Sequence, residues 1–319
     1  MANPQGNLGQ LTAVTLEQMS NILVDNISNN NALWFMMREK NKIAREGGGS
    51  LFREKITYAE NSNVKSQGEW DLINTTPQDN ITYADFAQKF ITGSVSFSKF
   101  EENQNAGRER LIDLVSAEVE VLNNTLSNTM GVHTYSNGAV ALDPAGLQLL
   151  VADNPAVGTV GGINRANYAV WRNQTQSFAA DGLAASATTI LGQMNKLYRK
   201  CQVQGANIVP DLITMDDNYM GFFEDSQQTI QRHASSKMAE AGFDVLRYKN
   251  ANVIYDPNCP ANHAYFLNTD YISFKHLGTK LFNYDQEREV VNQLARVIPV
   301  YCQGNFTISN CRTQGVLIA

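Results

Sequence analysis

The segment that most restricts how this chain can fold runs from residue 47 to residue 103. It opens with "GGGS" (Gly47 to Ser50), which breaks any preceding helix. "LFREKITYAE" (51–60) and "ITYADFAQKFITGSVSFSKFEEN" (81–103) follow, rich in β-branched and aromatic residues, with Val95 and Phe97 alternating with Ser94, Ser96 and Ser98. A period of two predicts strands. The intervening "NSNVKSQGEWDLINTTPQDN" is polar and turn-rich, so the whole reads as a long hairpin. At about 3.3 Å per residue each arm reaches roughly 30–50 Å. A two-stranded ribbon alone in water is marginal, and a glycine hinge flanks this one rather than further strands. It must lie against something. Either the rest of its own chain covers it or a neighbouring copy does, and in the second case its open edges serve pairing rather than invite aggregation.

Around the ribbon the pattern is mixed, giving an α+β chain. Residues 12–46 read as helical: Leu16, Met19, Leu23 and Ile27 fall at three- and four-residue spacing, and "ALWFMMREKNKIARE" follows. A long amphipathic helix is expected over about 108–130, with Leu111, Val115, Val119, Leu122 and Leu126 in one stripe and Gly131 at its end. Another is expected over 182–202, with Gly205 just beyond it. A third lies in "MDDNYMGFFEDSQQTIQ", with Asp216 as its N-cap. The last seventy residues are strand-like. No internal repeat or long linker divides the 319 residues.

Several function classes are disfavoured by what the chain lacks. Its net charge is −6 and no run of five or six basic residues occurs, so at most weak, sequence-blind contact with DNA is expected. Only 18% of residues are charged, while Asn and Gln are abundant, as suits crowded self-contact. There is no apolar run near 18 residues and no signal-peptide pattern, which points to folding in a cytoplasm and to no membrane partner. Cys201, Cys259, Cys302 and Cys311 are too scattered for a zinc site and read as buried thiols. The four histidines are equally scattered. Glu101/Glu102 and Asp216/Asp217 are adjacent in sequence, as solvated or capping carboxylates are. Closest to a phosphate loop is "VGTVGGINR" (157–165), but "NRANYAVWRN" after the glycines is turn- and strand-prone, where a phosphate cradle needs a helix. The glycine pair beside an arginine therefore either cradles an anion or turns tightly into an aromatic segment whose arginines serve packing or assembly. No catalytic constellation, cofactor site or metal site is expected, and the chain is not read as an enzyme.

Two stretches carry a family resemblance. "GGINRANYAVWRNQ" (161–174) resembles a motif of tailed-bacteriophage major capsid proteins, and "GNFTISNCRTQGVL" (304–317) is similar to the C-terminal strands of the same proteins. The order of elements also matches their Hong Kong 97-type shell fold. The resemblance implies an N-terminal arm (1–46), an E-loop hairpin (47–105), and a spine helix with part of a peripheral domain (106–160). A mainly axial domain (161–290) and C-terminal strands returning to the core (291–319) would complete it. It implies a structural protein that forms hexamers and pentamers in an icosahedral shell around double-stranded DNA. The E-loop would lie across an adjacent subunit. The shell would be assembled in the bacterial host cytoplasm and become part of the virion, with portal and scaffold or decoration proteins as partners. Folded pattern begins within some fifteen residues of Met1, so a separate scaffold protein, or none, is expected. Arg53, Lys55, Trp70 and Phe97 of the hairpin, with Gly161, Gly162, Arg165, Trp171 and Arg172, are the candidate assembly or structural residues. The arginines are expected to pair with carboxylates or carbonyls, within the subunit or across a contact. Lys55, Lys65, Lys89 and Lys99 lie in the hairpin region, where some family members form a lysine–asparagine crosslink; nothing in the sequence places one for that. An encapsulin-like compartment shares the shell fold and is the alternative; a soluble nucleotide-binding enzyme is the reading from another class.

Overall fold

The computed structural model describes residues 27, 31–100, 108–202, 208–227, 246–291 and 293–319. Asn31 caps the first helix, α1 (Ala32–Glu39), its side-chain oxygen accepting from the Leu33 and Trp34 amides at 3.0 and 3.2 Å. The helix expected to run to residue 46 stops at Glu39. Asn41 takes a left-handed φ of 54°, which asparagine tolerates, and turns the chain into β1 (Ile43–Arg45). The remainder of that expectation, at 12–26 and 28–30, lies outside the described residues, as do Gly205 and the 101–103 end of the hairpin.

The ribbon is shorter than its alternation predicts. β2 (Leu51–Thr57) and β3 (Ile81–Ala87) pair antiparallel, with Arg53 opposite Asp85. At Gln88 the second arm breaks, and β4 (Lys89–Ser98) leaves the ribbon to pair with β15 (Ala295–Ile308) along its whole length. A further strand therefore does flank the ribbon. Alternation specifies which face is buried but not which strand lies alongside, so one continuous pattern serves two sheets.

α2 (Arg108–Thr134) crosses β4. Val119 and Leu126 are buried there, and Gly93 lies against the helix, where a Cβ would come within 2.8 Å of the Leu122 Cδ1 methyl. The helix continues through Gly131 to Thr134; the side chains of Leu111 and Val115 lie outside the described residues. A single turn, α3 (Leu147–Leu150), precedes the small hairpin β5 (Thr159–Val160) and β6 (Ile163–Asn164). β7 (Gln174–Ser177) leads to α4 (Ile190–Cys201), which begins eight residues later than its apolar period predicts. Gly182 is left-handed at φ 66°, and a Ser186–Thr189 turn holds the chain back, the Ser186 amide donating to Thr189 Oγ1 at 3.1 Å. After β8 (Leu212–Met215), Asp216 caps α5 (Asp217–Gln227) by accepting from the Tyr219 amide at 3.1 Å.

The remaining strands are β9 (Leu246–Tyr248), β10 (Ala251–Tyr255), β11 (His263–Leu267), β12 (Ile272–His276), β13 (Asn283–Tyr284), β14 (Arg288–Glu289) and β16 (Gly315–Ile318). They build two six-stranded sheets. One runs β1-β12-β15-β13, with β4 and β14 also on β15; the other runs β7-β16-β11-β8-β10-β9. Against the second, α4 and α5 bury Met194, Leu197, Tyr219 and Phe223. The first is anchored by Trp34 of α1, whose ring lies 4.8 Å from Phe274 and 5.5 Å from Phe306. Consecutive strands β15 and β16 belong to different sheets, so the end of the chain stitches the two together.

Candidate assembly site

The ribbon stem has an inward and an outward face. Phe52, Ile56, Ala84 and Phe86 point inward and are buried in the main core. Glu54 shares their parity, and a carboxylate on that face needs partners. It has them: Glu54 Oε1 accepts from Thr307 Oγ1 at 2.7 Å and lies 3.0 Å from Lys275 Nζ. Lys275 also lies 2.8 Å from Glu46, just before the glycine hinge. Burial alone would lower the Lys275 pKa, but the two carboxylates outweigh it and raise it above the ordinary lysine value. Asn305 donates to the Ala87 carbonyl at 2.6 Å, while its side-chain oxygen accepts from the Ala145 amide at 2.7 Å. The two chain breaks, at the hinge and at Gln88, sit side by side, because Gln88 donates to the Gly49 carbonyl at 2.6 Å.

The glycine pair flanks the same stem. Gly161 and Gly162 have φ of 58° and 76° and join β5 to β6 as the two-residue turn that favours such angles. The Gly161 carbonyl accepts from the Asp85 amide at 2.9 Å, and a Cβ there would meet Ala84 Cβ at 2.7 Å. A strand, not a helix, follows the glycines, so the geometry of a phosphate cradle is missing. Trp171 is buried and its Nε1 donates to the Val160 carbonyl at 3.0 Å. Arg165 is fully buried, donates to the Leu150 carbonyl, and lies 4.0 Å from Cys311 Sγ. Burial pushes that thiol up to about 12, against the pull of the arginine charge. Arg172 donates from Nε to the Arg165 carbonyl and from a terminal nitrogen to the Ala166 carbonyl, both at 2.7 Å. The hydrogen bonds of both arginines to oxygen thus go to carbonyls of their own chain. Each of the two resemblance-bearing stretches, 161–174 and 304–317, contributes contacts that seat β3.

Beyond the stem the support ends. Between Ala59 and Asp79 no residue is buried, and the arms are joined by polar side-chain rungs rather than a backbone ladder. Ser62 donates to Gln78 at 2.9 Å and Asn63 to the Thr76 carbonyl at 2.8 Å. At the apex a turn over 68–71 is closed by the Asp71 amide on the Gly68 carbonyl at 3.2 Å, with Asp71 Oδ2 accepting from the Gly68 amide at 2.8 Å. That turn holds Trp70 in solvent, 92% exposed, with Leu72 at 91% and Val64 at 82% close in sequence. Of the other hairpin candidates, Arg53 forms an outward ion pair with Asp85 at 3.0 Å and Lys55 is exposed. Phe97 lies not on the ribbon but under α2, buried with Val95, Val119 and Ile298. Beside the tip-side end of the stem, at Ile56, Tyr58, Ile81 and Tyr83, a cleft of about 500 Å³ opens towards the 161–171 segment.

Elsewhere the chemistry is dispersed. All four cysteines are buried and unpaired. His263 lies 3.1 Å from Asp153, which raises its pKa. No three His, Cys, Asp or Glu side chains gather as a metal set among the described residues. Sequence reading missed Glu54, Lys275, Asn305 and Thr307; the one available signal was Glu54, an acid at an inward position of an alternating strand.

No family model matches the chain, and no curated protein is similar to it in sequence. Solved structures are similar to it nearly end to end. A cyanophage A-1(L) capsid protein shares 14% identity, covering 87% of this chain and 90% of that one with a TM-score of 0.60. The capsid of a native GTA particle shares 10%, covering 88% of each chain with a TM-score of 0.58. The SrpI encapsulin from Synechococcus elongatus shares 8%, covering 91% of this chain and 88% of that one with a TM-score of 0.55. At such identities the likeness is one of fold: this chain has the Hong Kong 97-type shell fold that its two motifs imply.

Proposed function

We propose that this chain is a major capsid protein. Its copies associate as hexamers and pentamers and close an icosahedral shell around the double-stranded DNA of a tailed phage. The observation that carries this is the division of one ribbon into a stem seated on its own chain and a bare tip that exposes Trp70, Leu72 and Ile73 to solvent. A fold shared with shell subunits supplies the context, and a net charge of −6 without a run of basic residues suits a container that encloses DNA without gripping it. In this role the protein is structural rather than enzymatic, belongs to the virion, and meets portal and scaffold or decoration proteins during assembly in the host. The division 1–46, 47–105, 106–160, 161–290 and 291–319 is proposed as its functional anatomy, with β4 of the 47–105 unit built into the first sheet. Purified protein, with any scaffold it needs, is expected to give closed particles in negative stain. Deleting 61–80 is expected to leave a folded subunit that forms none; particles of normal yield and size from that variant would refute the role given to the ribbon.

The likeness to the SrpI encapsulin favours a second reading, a protein-filled compartment of the same fold. The contents decide: nuclease-protected DNA in particles isolated from a producing cell supports the phage head, and a co-purifying protein cargo supports the compartment.

A further inference from the structure

We propose that His263 is a doubly protonated latch that holds the 153–158 loop against the start of β11 and releases it when a proton leaves. The latch belongs to the single subunit and operates whether or not copies assemble. His263 opens β11 on the same face of its sheet as Tyr265, and the two rings lie nearly parallel with centroids 6.1 Å apart. Nδ1 faces the Ala261 carbonyl at 2.7 Å, and Nε2 faces Asp153 Oδ2 at 3.1 Å. A carbonyl and a carboxylate can only accept. A neutral imidazole owns one N–H, so either tautomer would set a nitrogen lone pair against an oxygen lone pair. Only the imidazolium donates to both. Loss of its proton to solvent either removes the bond to Asp153 or leaves that bond without its charge, and at 20% exposure the side chain has little water to make up the difference.

The groups around the ring favour the cation. Asp153 comes from the loop itself, and Asp216 faces the ring from the junction of β8 and α5. Asp216 is already committed, its Oδ2 accepting from the Asn262 amide at 2.7 Å and its Oδ1 from the Tyr219 amide at 3.1 Å, so it adds negative field without competing for the ring. Cys259, whose thiol donates to the His263 carbonyl, and Tyr265 are the neighbouring titratable groups; burial raises both and keeps them neutral around the histidine range. The hydrogen bond to Asp153 outweighs the burial that would lower His263, and its pKa stands above the ordinary 6.5. The latch is therefore complete below pH 6.5 and is lost as pH rises through the folded value. Little else holds the loop. Its root is tied where Asn173 Nδ2 donates to the Ala152 carbonyl at 2.8 Å, and its far end where the Arg165 amide donates to the Gly158 carbonyl at 3.0 Å. Between these points, among the described residues, the contact with His263 is the hydrogen bond that reaches another element. Others, such as the Ala156 amide on Asn154 Oδ1 at 3.2 Å, stay within the loop.

Histidine-ring NMR across pH follows the proton, with His263→Gln identifying its resonance among the four histidines. His263 is expected to titrate above 6.5, and Asp153→Asn, at a side chain 53% exposed, should lower that midpoint. Hydrogen exchange of the 153–158 amides follows the loop. After correction for intrinsic exchange, their protection should fall as pH rises through the His263 midpoint. Linkage fixes the size of the fall: the fold-loss equals the ratio of the His263 acid constants with the loop open and closed. The Asp153→Asn protein should show no such step. A His263 midpoint at or below 6.5, a midpoint unmoved by Asp153→Asn, or protection that stays flat across the midpoint would each overturn the latch. None of these outcomes bears on the shell reading, which the particle assay decides.

Discussion

The two halves of the ribbon, one polypeptide hairpin, are stabilised by unlike means. In the stem, seven residue pairs form a regular antiparallel ladder, one face is buried, and an inward charge is neutralised by Lys275. In the tip, exposed Asn, Gln and Ser rungs stand in for the ladder and no side chain is buried. The stem is thus part of the subunit's own fold, whereas the tip leaves apolar side chains such as Trp70 and Leu72 open to solvent. A hairpin that looks uniformly unsupported as a sequence is seated for its first third on each arm and bare beyond. For a protein that assembles, the difference is useful: a seated stem fixes the direction in which the tip projects, and a bare tip keeps its contact energy for a neighbour.

The sharpest way to break this contrast is to attack the stem. Phe52→Ala empties a fully buried site beneath the ribbon and is expected to cost about 3–5 kcal/mol of folding stability. Urea unfolding would measure it, and a cost below about 1 kcal/mol would mean that the stem is not part of the core.

Next comes the clamp. Lys275→Ala leaves Glu54 inward-facing with Thr307 as its remaining side-chain partner among the described residues, and is expected to cost about 2–3 kcal/mol. The accompanying pH dependence has a definite sign. The folded-state pKa of Lys275 lies above its ordinary value of 10.5. Its contribution is therefore complete below about pH 10 and is lost as pH rises through the folded value. Wild-type stability should lose an increment on the alkaline side that the Lys275→Ala protein no longer loses; equal alkaline losses in the two would rule the clamp out.

Smallest is the outward pair. Arg53 is 66% exposed, and Arg53→Ala should shift stability by no more than about 0.5–1 kcal/mol. A larger loss would show that the outward face of the stem carries more than this contact. Together with the 61–80 deletion, which should leave the unfolding midpoint of the subunit almost unchanged, these variants grade the ribbon from root to apex.

Much of this molecule was legible before its structure. Alternation at 51–57 and again from 81 onward marked the strands, the apolar stripe marked α2, and Asp216 marked the start of α5. The glycine pair was legible as a tight turn because the residues after it do not form a helix. What the turn serves was not. That Gly161 must be small depends on Ala84 approaching from 77 positions earlier in the chain, and nothing in its neighbours encodes that approach. Phe97 was placed on the ribbon for a similar reason. Its parity is correct, but the sheet it joins is completed by residues 295–304.

By itself, then, the amino-acid order determined the periodicities, the breaks and caps, and the two short motifs that carry the shell resemblance, because each depends on residues a few positions apart. Only the tertiary structure decided that β4 abandons the ribbon at Gln88, that Lys275 and Thr307 meet Glu54, and that both motifs seat the same strand. Those outcomes depend on residues as far as 253 positions apart, and a local pattern specifies which face of a strand is hidden without specifying what hides it.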